Sequence, residues 1–279
     1  MFDASSRSDA AAARLQRGAG AAELVVARRG GRTALARLYQ RAPCRVLFPD
    51  PDPGEPLLAV MLTTSGGLTG GDDINWRIAV EPGAAATVTT QAAEKLYRSL
   101  GPDTTVAVEL AVGAGASLEF LPQETILFDR SRLQRRTTVD VASSGSLLAA
   151  EMLVFGRAAR GERFAGGRLY DGWRVRRGGR LVWADALGLD GDIAAALAAP
   201  FAFGGAGAVA TALYVGDAAE RLLPRARALA EGAATLVGGV LLARLLGSAQ
   251  EVRARLVRYL VGLRAALGLA PRLPRLWLA

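Results

Sequence analysis

The feature that most limits the possible folds of this chain is a repeated strand–turn–strand pattern in its first half. The segment IAVEPGAA (78–85) is matched by LAVGAGAS (110–117) and, more loosely, by VDVASSGS (139–146). Each copy joins two β-favouring runs through a glycine-centred turn, and the copies recur at a spacing of roughly thirty residues. Repeated hairpins of this kind cannot bury their apolar faces alone, so they predict stacking into one continuous β-layered body.

Local signals on either side of the repeats predict the remaining elements. Two tighter hairpins are expected at residues 23–38 and 173–183, because a Gly-Gly pair separates two alternating runs in each. Helix is expected mainly near the end of the chain, where Ser248 and Glu251 have capping-box spacing ahead of an apolar stripe. A shorter helix is predicted over residues 217–232, interrupted near Pro224.

These signals together predict a mainly β fold. We expect stacked, irregular β-helix-like sheets built from hairpins, with a small C-terminal helical part. The predicted organisation is a flexible N-terminal tail (1–20), a β-rich scaffold body (21–216) and a helical and strand segment packed on that body (217–279).

The composition excludes most familiar enzyme chemistry. The 279 residues contain no histidine and a single cysteine, Cys44. The chain therefore has no imidazole base for a Ser-His-Asp or Cys-His arrangement, no thiolate cage and no intramolecular disulfide. We expect a protein that is not an enzyme and has no tightly bound cofactor.

The net charge of +8 comes almost entirely from arginine, since Lys95 is the only lysine. The arginines are scattered and no nucleic-acid-binding motif is present, so the charge favours an acidic protein partner over nucleic acid. The uncharged stretch 193–216 is long enough to span a bilayer, but it is rich in Ala and Gly and alternates like a strand near its end. We expect a cytoplasmic protein without membrane partners.

A glycine-rich loop, GGLTGGD (66–72), stands out between two β-like runs. A phosphate-binding P-loop would end in Gly-Lys-Ser/Thr and open a helix, whereas Asp72 and Asp73 follow here and would repel phosphate. A dinucleotide fingerprint would also lead into a helix. Two interpretations remain: a tight strand connection, or a backbone held close to something that it must contact or pass.

Several runs, taken in order, resemble the UreD family of urease accessory proteins, called UreH in some organisms. They are TTSGGLTGGD (63–72), TTQAAEKLYRS (89–99), PQETILFD (122–129), LVFGR (153–157) with Gly-Glu at 161–162, DGWR (171–174) and PRLW (274–277). The likeness covers nearly everything from about residue 32 to the end of the chain.

The resemblance implies a function as well as a fold. Proteins of this family bind urease apoprotein and a helical UreF-type protein, which brings in a UreG-type GTPase, and the assembly delivers nickel. The resemblance further implies a fold similar to an irregular β-helix and a nickel passage through the body. The implied role is a non-catalytic scaffold for metallocentre assembly that binds nickel only transiently.

The motifs that resemble the family supply candidate site residues. Without histidine, nickel would meet oxygen ligands that bind it weakly and release it readily. The favoured ligands are Asp72, which follows four glycines in the loop, and Glu151, which is the charge in an apolar strand-like run. Glu94 could instead pair with Lys95 or Arg98. Two further carboxylates have ordinary alternatives, orientation of a turn for Glu124 and a surface charge for Glu162. The expected structural or docking residues are Gly66, Gly67, Gly70, Gly71, Gln91, Tyr97, Arg98 and Gln123.

Two other classes of function compete with the scaffold. One is a β-solenoid protein-binding module unrelated to urease. The other is a hydrolase or transferase that works through paired carboxylates, as glycosidases do. An aromatic content of 6% is low for a sugar-binding enzyme.

Overall fold

The computed structural model describes residues 17–278, and within this range the chain forms seventeen strands and three α-helices. The strands in chain order are β1 (Ala19–Arg29), β2 (Arg32–Arg41), β3 (Cys44–Leu47), β4 (Leu57–Thr63), β5 (Asp73–Val80), β6 (Ala85–Thr90), β7 (Glu94–Leu96), β8 (Thr104–Val112), β9 (Ser117–Leu121), β10 (Thr125–Leu127), β11 (Arg132–Val141), β12 (Ser146–Phe155), β13 (Arg168–Arg177), β14 (Arg180–Asp190), β15 (Ala208–Val215), β16 (Ala234–Val237) and β17 (Val240–Gly247). The helices are α1 (Ile193–Ala198), α2 (Ala219–Leu229) and α3 (Ala249–Ala266).

The strands form two sheets with the main hydrophobic core between them. The first sheet has the order β14-β13-β11-β8-β5-β1-β2. The second runs β16-β17-β15-β12-β9-β6-β4-β3, with β10 and β7 paired beside β12. Inward-facing residues of both sheets, such as Val139 and Leu147, belong to one buried cluster. The prediction of stacked, β-helix-like sheets with a small C-terminal helical part is confirmed.

The repeat is real, but its units are arches rather than the hairpins that we predicted. In each copy the first strand belongs to the first sheet and the returning strand to the second. Equivalent residues of successive copies pair in parallel, so Ile78, Leu110 and Val139 lie side by side in the first sheet. The parallel neighbour supplies the backbone hydrogen bonds that a hairpin would have formed within itself.

The two flanking hairpins form where the Gly-Gly pairs predicted them. In β1–β2 and in β13–β14 the strands pair antiparallel. Gly30 and Gly31 have φ of 55° and 84°, and Gly178 and Gly179 have φ of 55° and 80°. Two consecutive positive φ angles are what a two-residue hairpin turn needs, and glycine adopts them without a Cβ clash.

The helical elements agree with the sequence patterns apart from one addition and one correction: the interruption predicted near Pro224 is absent, because α2 continues through that residue. The Ser248–Glu251 capping box is present at the start of α3, and α2 contains Pro224. The short helix α1 lies ahead of the predicted helical region, and the Asp192 side chain caps it by accepting from the Ala195 amide. Residues 1–16 of the predicted tail (1–20) lie outside the described part of the chain, and β1 already begins at Ala19. At the other end, Ala279 also lies outside the described part.

Helices α2 and α3 cover the outer face of the second sheet and form a second buried cluster with it. Strand β12 therefore contributes to both cores: Ala149 and Leu153 face the first sheet, while Leu148 and Met152 face the helices. A strand buried on both faces should be apolar throughout. Glu151 is the only charged residue of β12, and it lies on the side that faces the first sheet. Within residues 17–278, no helix is long and apolar enough to cross a membrane.

Candidate functional site: charged residues between the two sheets

Glu151 is held in the interior by an arginine from the opposite sheet. The Arg135 Nη2 atom donates to Glu151 Oε2 at 2.8 Å, and the same atom donates to Asp171 Oδ2. Arg135 Nε also donates to Asp171 Oδ1 at 2.9 Å, and Nη1 donates to the Thr125 hydroxyl at 3.2 Å. We call Arg135, Glu151 and Asp171 the interior triad.

Strand register explains why the interior triad forms. Arg135 and Asp171 are direct neighbours in the parallel pairing of β11 and β13. On β11 the residues Leu133 and Val139, which share the face of Arg135, belong to the inter-sheet core. The arginine and the aspartate are therefore directed into the apolar interior by the same alternation that buries their neighbours. The side chains of Arg135, Glu151 and Asp171 are 12%, 12% and 1% exposed.

Two cavities meet at the interior triad. The smaller, about 80 Å³, is lined by Glu94, Thr125, Arg135 and Glu151 among mostly apolar residues. The larger, about 250 Å³, is lined by Glu151, Asp171, Asp185 and Arg244 among others. Glu151 and Trp173 line both cavities. Polar groups thus extend from Glu94 through the triad to Asp185, whose side chain is 35% exposed.

The electrostatics of the triad are those of a buried ion group with one cation and two acids. Burial, followed by the charge of Asp171, raises the pKa of Glu151, while Arg135 opposes the shift. The guanidinium remains protonated because both carboxylates raise the pKa of Arg135 against the effect of burial. The arrangement carries one negative charge in excess when both acids are ionised.

Glu94 is a second, partly buried carboxylate at these cavities, and residues 17–278 give it no arginine partner. Its Oε2 accepts from the Thr63 hydroxyl at 3.0 Å. Burial raises the pKa of Glu94 from 4.5 to about 6, with the charge of Asp72 as a smaller contribution in the same direction. The sequence left open an ion pair of Glu94 with Lys95 or Arg98. The structure shows neither pair, because the Glu94 side chain has no ion-pair partner within 4 Å in the described residues.

We expect the Glu94 charge to reduce stability at neutral pH. The unfolded chain releases the Glu94 proton near pH 4.5, whereas the folded protein retains it up to about pH 6. The folded state binds more protons in this interval, so the free energy of unfolding falls by about 2 kcal/mol as the pH rises through it and stays lower above it. Chemical denaturation of the wild type and of E94Q at a series of pH values measures the difference. The plots of the free energy of unfolding against pH should diverge between these two pKa values. Parallel plots would show that Glu94 is solvated in the folded protein. E220Q, at an exposed helix position, should follow the wild type.

Asp72 organises the glycine-rich loop and lines neither of the two cavities. Its Oδ1 accepts from the Gly18 amide at 2.7 Å and its Oδ2 from the Thr69 amide at 2.8 Å. Both oxygens are thus occupied by backbone donors close to the start of β5. The loop also carries the Gly70 backbone very near Ser99. The structure favours the tight strand connection over a backbone that contacts a ligand.

The other two candidate carboxylates form ion pairs away from the cavities. Glu124 binds Arg253 of α3 at 2.5 Å, and Glu162 binds Arg157. The Arg157 hydrogen bond lowers the pKa of Glu162. Glu124 thus joins the segment before β10 to α3 instead of orienting a turn, and Glu162 is a paired, partly buried charge and not a free surface charge. In residues 17–278, no group of three or more Cys, Asp or Glu side chains is arranged to hold a metal ion.

The residues expected to be structural or docking residues divide into two groups. The Gln123 side-chain amide donates to the carbonyls of Thr90 and Gln91 and so joins successive repeats. The Tyr97 hydroxyl donates to the Gly66 carbonyl, and the Tyr97 ring packs edge-on against Phe128. Tyr97 is nevertheless 39% exposed, and the side chains of Gln91 and Arg98 are exposed without such contacts to the loop. The four loop glycines, Gly66, Gly67, Gly70 and Gly71, all lie between β4 and β5.

Sequence reasoning missed Arg135 and Asp171. A signal was present: each charge occurs at an inward-facing position, between Leu133 and Thr137 on β11 and between Leu169 and Trp173 on β13. A charged residue at a strand position that alternates with buried residues points into the core and needs a partner of opposite charge. Two such residues of opposite sign on neighbouring strands therefore predict an ion pair. Asp171 was noted only as part of the DGWR run.

The fold and the site define a class of protein: a stacked two-sheet β scaffold with a helical outer layer and with three charged side chains, the interior triad, between the sheets. The model of the family described as UreD urease accessory protein matches residues 18–278. The chain therefore belongs to the UreD family of urease accessory proteins, and the recognition made from the motifs is confirmed.

Individual relatives agree with the family assignment. The chain is 46% identical over 273 residues to the urease accessory protein UreD of Magnetococcus marinus, covering 92% of this chain and 93% of the relative. It is 46% identical over 260 residues to urease accessory protein UreD 1 of Methylobacterium radiotolerans, covering 90% and 88% of the two chains. The corresponding values for the urease accessory protein UreD of Rhodopseudomonas palustris are 45% over 269 residues, 94% and 91%.

Proposed function

We propose that this chain is a non-enzymatic scaffold of urease maturation that gives nickel ions a route through its body. In this proposal it binds urease apoprotein and a UreF-type protein in the cytoplasm, and a UreG-type GTPase joins through the UreF-type protein. Family membership supports an accessory role for urease and disfavours a binding module unrelated to urease. Nickel is the cargo of the scaffold and not a resident cofactor.

The observation that carries the nickel route is the continuity of polar groups inside an apolar body. The cavity that contains Glu94 and the cavity that contains Asp171 share Glu151. A folded protein gains no stability from unpaired interior carboxylates, because each loses its hydration. A charge that is retained at such a cost, as at Glu94, suggests a role other than packing.

The ligand chemistry suits transport more than storage. Carboxylate and hydroxyl oxygens are weaker nickel ligands than imidazole or thiolate, so an ion bound by them exchanges readily. Glu94, Thr125 and Glu151 offer such oxygens around the smaller cavity. The nickel ion would be held briefly at each carboxylate and would leave toward the acidic group that follows.

The same geometry disfavours a hydrolase that would use the acids of the interior triad. Glu151 and Asp171 are both bound to the Arg135 guanidinium, so neither is poised as a free base or nucleophile. The adjoining cavities of about 80 and 250 Å³ are small compared with substrate pockets of about 300–1,000 Å³.

The test measures partner binding and nickel delivery separately. We expect E94Q and E151Q to pull down urease apoprotein and the UreF-type protein as well as the wild type does, because both residues are interior. The urease that matures with them should contain several-fold less nickel and show a matching loss of activity. E220Q, an exposed change of the same chemistry, should leave both readouts unchanged. Normal nickel content with E94Q and E151Q would contradict the route, whereas loss of partner binding would place these residues in the docking surface or the fold.

A further inference from the structure

The Arg135 guanidinium occupies the point where two carboxylates converge. A single nitrogen, Nη2, donates to Oε2 of Glu151 from one sheet and to Oδ2 of Asp171 from the other. Oxygens of two separate acids directed at one atom are the arrangement that a bound cation requires. Here the cation is supplied by the chain itself, and its bidentate grip on Asp171 fixes its position.

The converging acids lie at the boundary between two open spaces. Cavities of about 80 Å³ and 250 Å³ adjoin on either side of Glu151 and Trp173. The guanidinium lines the smaller cavity and binds Glu151, which lines both cavities, so it lies beside the path that an ion would take from one cavity to the other. A fixed positive charge at that place repels a divalent cation while it remains there.

Trp173 lies at the same boundary and lines both cavities. It is 4% exposed, and although its Nε1 makes no hydrogen bond of good geometry, it lies close enough to the Glu151 carboxyl to lower the pKa of that acid against the effect of burial. The indole N–H can only donate, so it favours an ionised Glu151 oxygen at this place.

We propose that Arg135 is the resting counter-ion of an internal divalent-cation site formed by Glu151 and Asp171, and that it closes the boundary between the cavities until a cation displaces it. The inference rests on the proposed function for the identity of the ion and adds a regulated step to the route. On displacement the guanidinium moves into the smaller cavity, which Glu94 also lines. The positive charge of Arg135 is thereby exchanged for that of the incoming ion, and the two carboxylates are never left uncompensated.

The experiment measures Ni²⁺ binding to the full chain, purified without a histidine tag, by equilibrium dialysis and by thermal unfolding with and without Ni²⁺. R135Q removes the internal cation, so we expect it to bind one Ni²⁺ per chain with a Kd at least about tenfold below that of the wild type. The double variant R135Q/E151Q should lose this gain in Ni²⁺ affinity. R132Q is a matched control on the same strand, since Arg132 binds Asp103 outside both cavities, and it should not gain affinity.

A folded R135Q that binds Ni²⁺ no tighter than the wild type overturns the inference, as does a gain that survives in R135Q/E151Q. Should R135Q fail to fold, R135K decides the matter. Its ammonium keeps the charge but not the two-pronged contact with Asp171, so Ni²⁺ should displace it more easily and the Kd should fall. An unchanged Kd in R135K would overturn the inference.

The two proposals fail in different ways. If R135Q gains Ni²⁺ while E94Q and E151Q mature urease normally, the cation site exists but the delivery route is wrong. If E94Q and E151Q reduce nickel delivery while R135Q and R135K gain no affinity, the route stands and the counter-ion inference is wrong.

Discussion

Replacing Arg264 with alanine is expected to lower the free energy of unfolding by about 3–5 kcal/mol, because it leaves two buried carboxylates without their cation. Arg264 lies on α3 with a side chain that is 1% exposed. It donates to Glu119 of β9 and to Glu55 in the loop before β4, and Nε binds the Ala270 carbonyl at 3.0 Å. One side chain therefore joins the helical layer to the second sheet and to that loop.

Urea denaturation followed by circular dichroism measures the loss for Arg264→Ala. The control is Arg272→Ala, since Arg272 also approaches Glu55, at 3.5 Å, but is 47% exposed. An exposed pair of this kind contributes about 0–1 kcal/mol. A similar small loss for both variants would mean that Glu55 and Glu119 reach water when Arg264 is absent. Adding Glu119→Gln to Arg264→Ala should recover part of the stability, because it removes one of the two buried carboxylates that were left without a cation.

The second large effect is expected at Gly70, where alanine should cost about 1–3 kcal/mol or more through overpacking. A Cβ on Gly70 would lie 2.0 Å from the Ser99 hydroxyl oxygen and 2.4 Å from the Pro102 carbonyl oxygen. These atoms hydrogen-bond to each other at 2.6 Å, so neither can withdraw without breaking that contact. The loop must shift instead.

A shift of this loop should also affect the interior site. The Leu68 amide donates to the Lys95 carbonyl at 2.8 Å, and the Tyr97 amide donates to the Leu68 carbonyl at 2.8 Å. Residues 66–71 are thus tied to β7, which carries Glu94. We expect Gly70→Ala to lower both the thermal midpoint and nickel delivery to urease. The control is Gly188→Ala, where a Cβ meets nothing within 4 Å. Equal thermal midpoints for the two variants would show that residues 99–102 can move away from the new Cβ without loss of stability.

Local pattern was sufficient for much of the fold. The alignment of 78–85 with 110–117 and 139–146 corresponds to the register of the sheets, in which Ala85, Ser117 and Ser146 pair across the second sheet. The Gly-Gly hairpins and the Ser248 cap depend on φ angles and hydrogen bonds between near neighbours. Such features follow from residues a few positions apart, and sequence patterns report them well.

The candidate site was predicted only in part. Glu151 was singled out as a charge in an apolar run, and the structure places it at the junction of the two cavities. Asp72 was singled out because it follows the glycines, but its oxygens accept loop amides. The glycine-centred turns of the repeats also did not reveal whether their strands would pair with each other or with those of the next repeat.

By itself, the sequence determined the β-rich class, the register of the repeats, the caps and the absence of any imidazole ligand. The tertiary structure alone decided which charges meet. Arg135 binds Glu151 and Asp171, which lie 16 and 36 positions further along the chain, and Arg264 binds Glu119 across 145 positions. Alternation along a strand fixes which side chains point inward. Their partners depend on how two sheets are stacked, because the free energy of a buried charge is set by the atoms across the core and not by its neighbours in sequence.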